Sequence, residues 1–137
     1  MAANRKEIVQ HINEGFAQNN LEKVLSFCTD DLTWTMVGDT TVRGKDSIRK
    51  WMASMDPQPP KFTIQQTVAE GDYVITRGDM TMQEKKNGPS IPYAFCDMYR
   101  FSGDKVAELT AFVIRTDKPR SGERTANEEQ MASGRQS

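Results

Sequence analysis

Three long runs in the second half of the chain limit its fold more than any other feature. Residues 72–85, 90–102 and 105–117 each read as an extended strand, broken only by Asn87-Gly88-Pro89 and by Ser102-Gly103-Asp104. Asn-Gly accepts a positive φ and Gly-Asp favours a tight reversal, so both breaks carry hairpin chemistry. Successive side chains on a strand point to opposite faces. One face is predicted to carry Ile75, Arg77, Asp79 and Thr81 on the first run, Tyr93, Phe95, Asp97 and Tyr99 on the second, and Leu109, Ala111 and Val113 on the third. This is an apolar surface bearing two carboxylates and a guanidinium, and function is expected there. The other face, with Val74, Thr76, Met80, Met82, Ala94, Cys96, Met98, Thr110, Phe112 and Ile114, is too apolar for water and predicts a homodimer interface.

The preceding half supplies three helices. Ile8, Val9, Ile12 and Phe16 form a helical stripe over residues 4–18. Asn20 is placed to cap a second helix over 21–28, with Leu21, Val24, Leu25 and Cys28 on one side. Residues 32–37 alternate like a strand, 41–43 form a shorter one, and Ile48, Trp51, Met52 and Met55 mark a third helix ended by Pro57, Pro59 and Pro60. Lys61 to Glu70 is a further strand, with Phe62, Ile64 and Val68 on its core side. The pattern is α+β: a curved, mostly antiparallel sheet wrapped around three helices, with a cavity between them. Residues 1–117 are expected to form the domain. The polar segment 118–137, whose only large apolar residue is Met131, is expected to be a flexible tail.

The totals narrow the function class. With 18 basic and 19 acidic residues, a formal net charge of −1 and no basic stripe, no nucleic-acid partner is expected. No apolar run reaches membrane-spanning length and the N-terminus lacks a secretory core, so a cytoplasmic protein without membrane association is expected. Two cysteines, Cys28 and Cys96, are expected as free thiols, and with the single His11 they make no metal-ligand set. No cofactor is expected.

Several stretches resemble one superfamily. Residues 16–34, the Val42-Arg43-Gly44-Lys45-Asp46-Ser47-Ile48 entry to the third helix, and the last hairpin around Tyr99-Arg100-Phe101-Ser102-Gly103-Asp104 are similar to the nuclear transport factor 2-like superfamily. Its members include SnoaL-like cyclases, ketosteroid isomerases and limonene epoxide hydrolase. The resemblance covers roughly residues 6–115 and implies a cone-shaped, cystatin-like fold. In ketosteroid isomerases a tyrosine and a protonated aspartate hold the substrate oxyanion while another aspartate is the base. Asp97 falls at the oxyanion aspartate; the tyrosine position falls on Ile12 and the base position on or beside Met36. Arg77-Gly78-Asp79 resembles the Arg-x-Asp of the epoxide hydrolase, whose last-strand aspartate falls at about Ala111. In SnoaL-like cyclases an acid and a histidine manage the substrate's protons, and this chain offers only His11.

The residues themselves leave alternatives open. Arg77 and Asp79 are two apart on a strand, about 7 Å between α-carbons, and point the same way. They are either a rim ion pair or a base held by its orienting guanidinium. Asp97, between Phe95 and Tyr99, is either a protonated hydrogen-bond donor in an apolar pocket or an ionised structural acceptor. The catalytic set is therefore Asp79 as base, Arg77 as orienter and Asp97 as acid, with Trp34, Met36, Tyr93, Phe95, Tyr99, Leu109, Val113, Ile12 and Phe16 lining a site for a small hydrophobic molecule. The expected activity is a cofactor-free isomerase, cyclase or hydrolase; the alternative is a non-catalytic ligand-binding or dimerisation module.

Overall fold

The computed structural model describes residues 4–55 and 58–117. The elements follow one another as α1 (Arg5–Ala17), α2 (Leu21–Ser26), β1 (Cys28–Met36), β2 (Thr40–Arg43), α3 (Lys45–Met55), β3 (Lys61–Glu70), β4 (Tyr73–Gln83), β5 (Ser90–Ser102) and β6 (Lys105–Arg115). The expected tail, 118–137, lies outside the described residues. Asn4 caps α1 by accepting from the Lys6 amide, and Asn20 caps α2 by accepting from that of Lys23, each satisfying an amide that the first helical turn leaves unpaired.

The six strands form one sheet in the order β2-β1-β6-β5-β4-β3, antiparallel except where β1 meets β6. β1 begins earlier than its alternation suggests, because Cys28 already pairs with Val106. The helices cover one face of the sheet. Ile8, Val9 and Ile12 of α1, Val24 and Leu25 of α2, and Ile48 of α3 pack with Leu32, Val74, Tyr99, Phe101, Val106 and Leu109 in a single buried cluster. Each such side chain contributes roughly 1.5–3 kcal/mol by leaving water.

Two irregularities curve the sheet. β3 carries a bulge between Ile64 and Gln66, opposite Gly78 of β4. A Cβ built on Gly78 would lie 1.9 Å from the Thr63 carbonyl oxygen, so only glycine lets the strands approach this closely. The bulge also reverses the alternation of β3: Phe62 and Ile64 face the helices as expected, but Val68 turns to the far side and is 45% exposed. A second shift, between Arg100 and Phe101, lets Asp97 stand directly opposite Ala111.

The face assignment of β4 differs from expectation. Gln83 pairs with Ser90, so residues 84–89 make an even-numbered connection and place Thr76 opposite Asp97, Gly78 opposite Phe95 and Met80 opposite Tyr93. Directly paired residues share a face. Val74, Thr76, Met80 and Met82 therefore look toward the helices, and Ile75, Arg77, Asp79 and Thr81 occupy the outer face with Ala94, Cys96 and Met98.

Candidate functional site

The helices do not fill the sheet's concave side completely. A cavity of about 380 Å³ remains between α1, α3 and the inner faces of β1, β3, β4, β5 and β6. Its wall is apolar. Phe16 and Trp51 each pack edge-on against Trp34, with ring centroids 5.5 and 5.3 Å away, and Phe62 meets Phe95 in the same way at 6.1 Å. Five methionines, Met36, Met52, Met55, Met80 and Met82, line it as well, and their unbranched thioethers adapt to the shape of an occupant. Polar groups gather toward the mouth: Asn19, Asn20, Asp39 and Glu84 are all exposed there.

Asp97 is an exception inside. It sits at mid-strand on β5, with Thr76 on one side and Ala111 on the other, and Met36 lies beyond Ala111 on β1. Neither carboxyl oxygen has a hydrogen-bond partner among the described residues, and neither is sealed from the void, so both open onto the cavity. Burial alone pushes the group up to about 7, because among the described residues no charge and no hydrogen bond offsets the loss of water around the ionised form. The structure thus places an acid that is half neutral near physiological pH at the bottom of a hydrophobic hollow.

The other two members of the expected catalytic set are elsewhere. Arg77 and Asp79 are exposed on the outer face, and between them lie the side chains of the β3 bulge. Arg77 donates to Gln66 at 3.0 Å and to Gln65 at 3.1 Å, while Gln65 donates to Asp79 at 2.8 Å. The pairing of β4 with β5 separates Asp79 from Asp97 by the thickness of the sheet, so the two carboxylates cannot act on one substrate.

Of the expected pocket residues, Trp34, Met36, Phe95, Leu109, Val113 and Phe16 line the cavity. Ile12 is fully buried in the core beneath it. Tyr99 is also buried, and its hydroxyl donates to Asn13 Oδ1 at 3.4 Å; burial, with the charge of Asp97 adding, holds that phenol well above its ordinary value. Tyr93 lies near the far end of β5, where it donates to Glu84 at 3.3 Å. Cys28 donates its thiol to the Val24 carbonyl and is pushed up to about 11 by burial, which leaves it a poor nucleophile. His11 stands on the exposed side of α1, within 3.5 Å of Glu14 and stacked on Phe27.

Sequence reasoning missed Met52, Met80, Met82 and Asn13 as cavity residues, and left Trp51 and Phe62 open between core and pocket wall. The α3 stripe and the β3 alternation made Trp51, Met52 and Phe62 core residues, and periodicity does not distinguish a core from a cavity wall. For Met80 and Met82 a signal existed: the even-numbered residues of β4 bear no charge, whereas the odd-numbered ones include Arg77 and Asp79.

Comparison with known proteins agrees with this architecture. A family model, the SnoaL-like domain, matches residues 9–109. No curated protein matches the chain. Among solved structures, a nuclear transport factor 2-like protein from Burkholderia pseudomallei superposes with a TM-score of 0.72 at 18% identity, covering 80% of this chain and 89% of that one. TerC co-crystallised with polyporic acid gives 0.69 at 16% identity over 78% and 88%. A protein with a ketosteroid isomerase-like fold from Catenulispora acidiphila, in complex with trimethylamine, gives 0.68 at 18% over 77% and 83%.

Titration of Asp97 is expected to appear in stability. The folded-state value of about 7 lies above the ordinary 3.8, so between those pH values the native chain keeps a proton that the unfolded chain has released. The stabilisation is complete below about pH 4, is lost as pH rises through 7, and stays lost above it. Urea unfolding of the native protein and of Asp97→Asn from pH 4 to pH 8 is expected to show the native protein losing on the order of 3 kcal/mol relative to the variant. A difference that stays constant over that range would mean an ordinary carboxylate.

Proposed function

The chain belongs to the SnoaL-like domain family, and on that premise we propose that it is a cofactor-free acid–base enzyme acting on a small, largely apolar carbonyl compound. The observation that carries the reading is the unpartnered Asp97 carboxyl open to an apolar cavity. Protonated, it donates a hydrogen bond to a carbonyl oxygen and stabilises the enolate-like charge that develops there as solvent water reaching the substrate from the cavity mouth accepts the α-proton; oxyanion stabilisation of this kind is one requirement of double-bond isomerisation and of ring closure through an enol. The surrounding Trp34, Phe95, Met36 and Leu109 exclude water, which strengthens that hydrogen bond. The position of Arg77 and Asp79 on the outer face, away from the cavity, weighs against a hydrolase working through them.

A second reading is ligand binding without turnover. It is favoured by the absence, among the described residues, of a second carboxylate beside Asp97: Asp39 and Glu84, which also line the cavity, are exposed at its mouth. TerC and the Catenulispora protein, each described with a small organic molecule, are compatible with either reading.

The same proposal includes a homodimer through the outer face, now composed differently from the sequence expectation. Phe112 is 38% and Ile114 65% exposed there, beside Cys96 and Met98, and the Arg77-Gln65-Asp79 network forms the polar part of the patch. The free thiols Cys28 and Cys96 fit a reducing, cytoplasmic setting.

Enolisation separates the two readings without knowledge of the natural substrate. In deuterated buffer the protein is expected to accelerate exchange of the α-protons of 2-tetralone, followed by proton NMR, with a rate that declines above pH 7 and falls at least tenfold in Asp97→Asn. Tight binding of the ketone with exchange no faster than in buffer would establish the binding reading instead. For the dimer, Ile114→Lys is expected to halve the mass measured by light scattering; a native protein that is already monomeric at micromolar concentration would refute the interface.

A further inference from the structure

We propose that Asn13 supplies a second hydrogen-bond donor to the oxygenated end of the ligand that Asp97 holds, which restricts the ligand to neutral ketones and related carbonyl compounds. This rests on the proposed function and extends it to a residue on a different element.

Asn13 is a polar residue on the apolar face of α1, only 9% exposed, and it lines the cavity. Its acceptor is occupied: Oδ1 receives the Tyr99 hydroxyl at 3.4 Å. Its Nδ2 has no partner among the described residues and is not sealed off, so the amino group opens where the residue meets the void. A buried donor left unpaired is destabilising, and its natural partner is an acceptor delivered by a ligand. Tyr99 lies two residues from Asp97 on the same face of β5, about 7 Å between α-carbons. By holding the amide oxygen, Tyr99 leaves the amino group of Asn13 as the side of the amide free for the cavity, which Asp97 also lines.

The charge of the lining decides the ligand class. Among the described residues that line the cavity none is Lys, Arg or His, so a carboxylate or phosphate would meet no cation from them. A neutral carbonyl oxygen needs only neutral donors, and Asn13 together with protonated Asp97 provides two. The aromatic and methionine walls take the remaining hydrocarbon.

The test compares 2-acetylnaphthalene with 2-isopropylnaphthalene, which has nearly the same outline and no oxygen. The protein is expected to bind the ketone more tightly, and Asn13→Leu, which keeps the volume and removes the amide, is expected to reduce that preference about tenfold while hydrocarbon affinity is retained. Tyr99→Phe, which frees the amide to rotate, is expected to reduce it by a smaller factor. Should Asn13→Leu fail to fold, the side-chain amide resonance of Asn13 in the ¹⁵N-labelled native protein serves in its place: it is expected to move downfield on titration with the ketone and to stay put with the hydrocarbon. An unchanged preference in the variant, or an unmoved resonance while ketone binding still weakens above pH 7, would overturn the role of Asn13 and leave that of Asp97 intact. Binding of neither compound would overturn both.

Discussion

Keeping Asp97 charged is costly, and that penalty organises the rest of the cavity. A carboxylate in water is stabilised by many oriented dipoles; on the inner face of β5 it has the hydrocarbon of Phe95, Ala111 and Met36 around it and no hydrogen-bond partner among the described residues. The group responds by holding its proton. A structural carboxylate would have been given an arginine or a row of amides, as Arg49 is given to Glu22 and Asp46 on the surface and Arg100 to Glu108. Leaving Asp97 alone sacrifices stability above neutral pH, a pattern expected of a group kept for chemistry or recognition.

The backbone that creates this environment depends on a few local features. Gly78 admits the Thr63 carbonyl where a side chain would collide, and the β3 bulge opposite it bends the sheet over the helices. The shift at Arg100–Phe101 sets Asp97 against Ala111, the smallest available neighbour, which leaves space in front of the carboxyl. Trp34, wedged between Phe16 and Trp51, joins the sheet to both α1 and α3 and fixes the width of the cavity. Asn13 and Tyr99 then set a further polar contact at depth.

Most of the fold was legible from side-chain periodicity. β3 and β5 begin and end where alternation and turn residues place them, and the helices follow their apolar stripes. The position of Asp97 on the inner face with Phe95, Leu109 and Val113 was legible too. What failed was the phase of β4. Alternation divides a strand into two sets but does not say which set faces in; the deciding quantity is the parity of the connection, and an even-numbered one, whether the Asn87-Gly88 pair alone or residues 84–89 as observed, sets the odd residues of β4 opposite the even residues of β5, away from Phe95 and Asp97. Charge offered the better criterion, since Arg77 and Asp79 are far cheaper to solvate than Val74, Thr76 and Met80. The likeness of Arg77-Gly78-Asp79 to a hydrolase motif pointed the other way, and a three-residue match carries little weight against the desolvation of two charged groups. Asn13 was invisible for a different reason: a polar residue on an apolar helical stripe has meaning only once the partner of its oxygen is known.

The carboxyl carbon of Asp97 reports the central claim most directly. In protein labelled with ¹³C-aspartate, with the resonance assigned by its loss in Asp97→Asn, titration from pH 3 to pH 9 is expected to give a midpoint near 7. A midpoint near 4, the value of an aspartate in water, would contradict the account, because it would mean that solvent or an unrecognised donor reaches the carboxylate and that the hollow around it is not the apolar environment described.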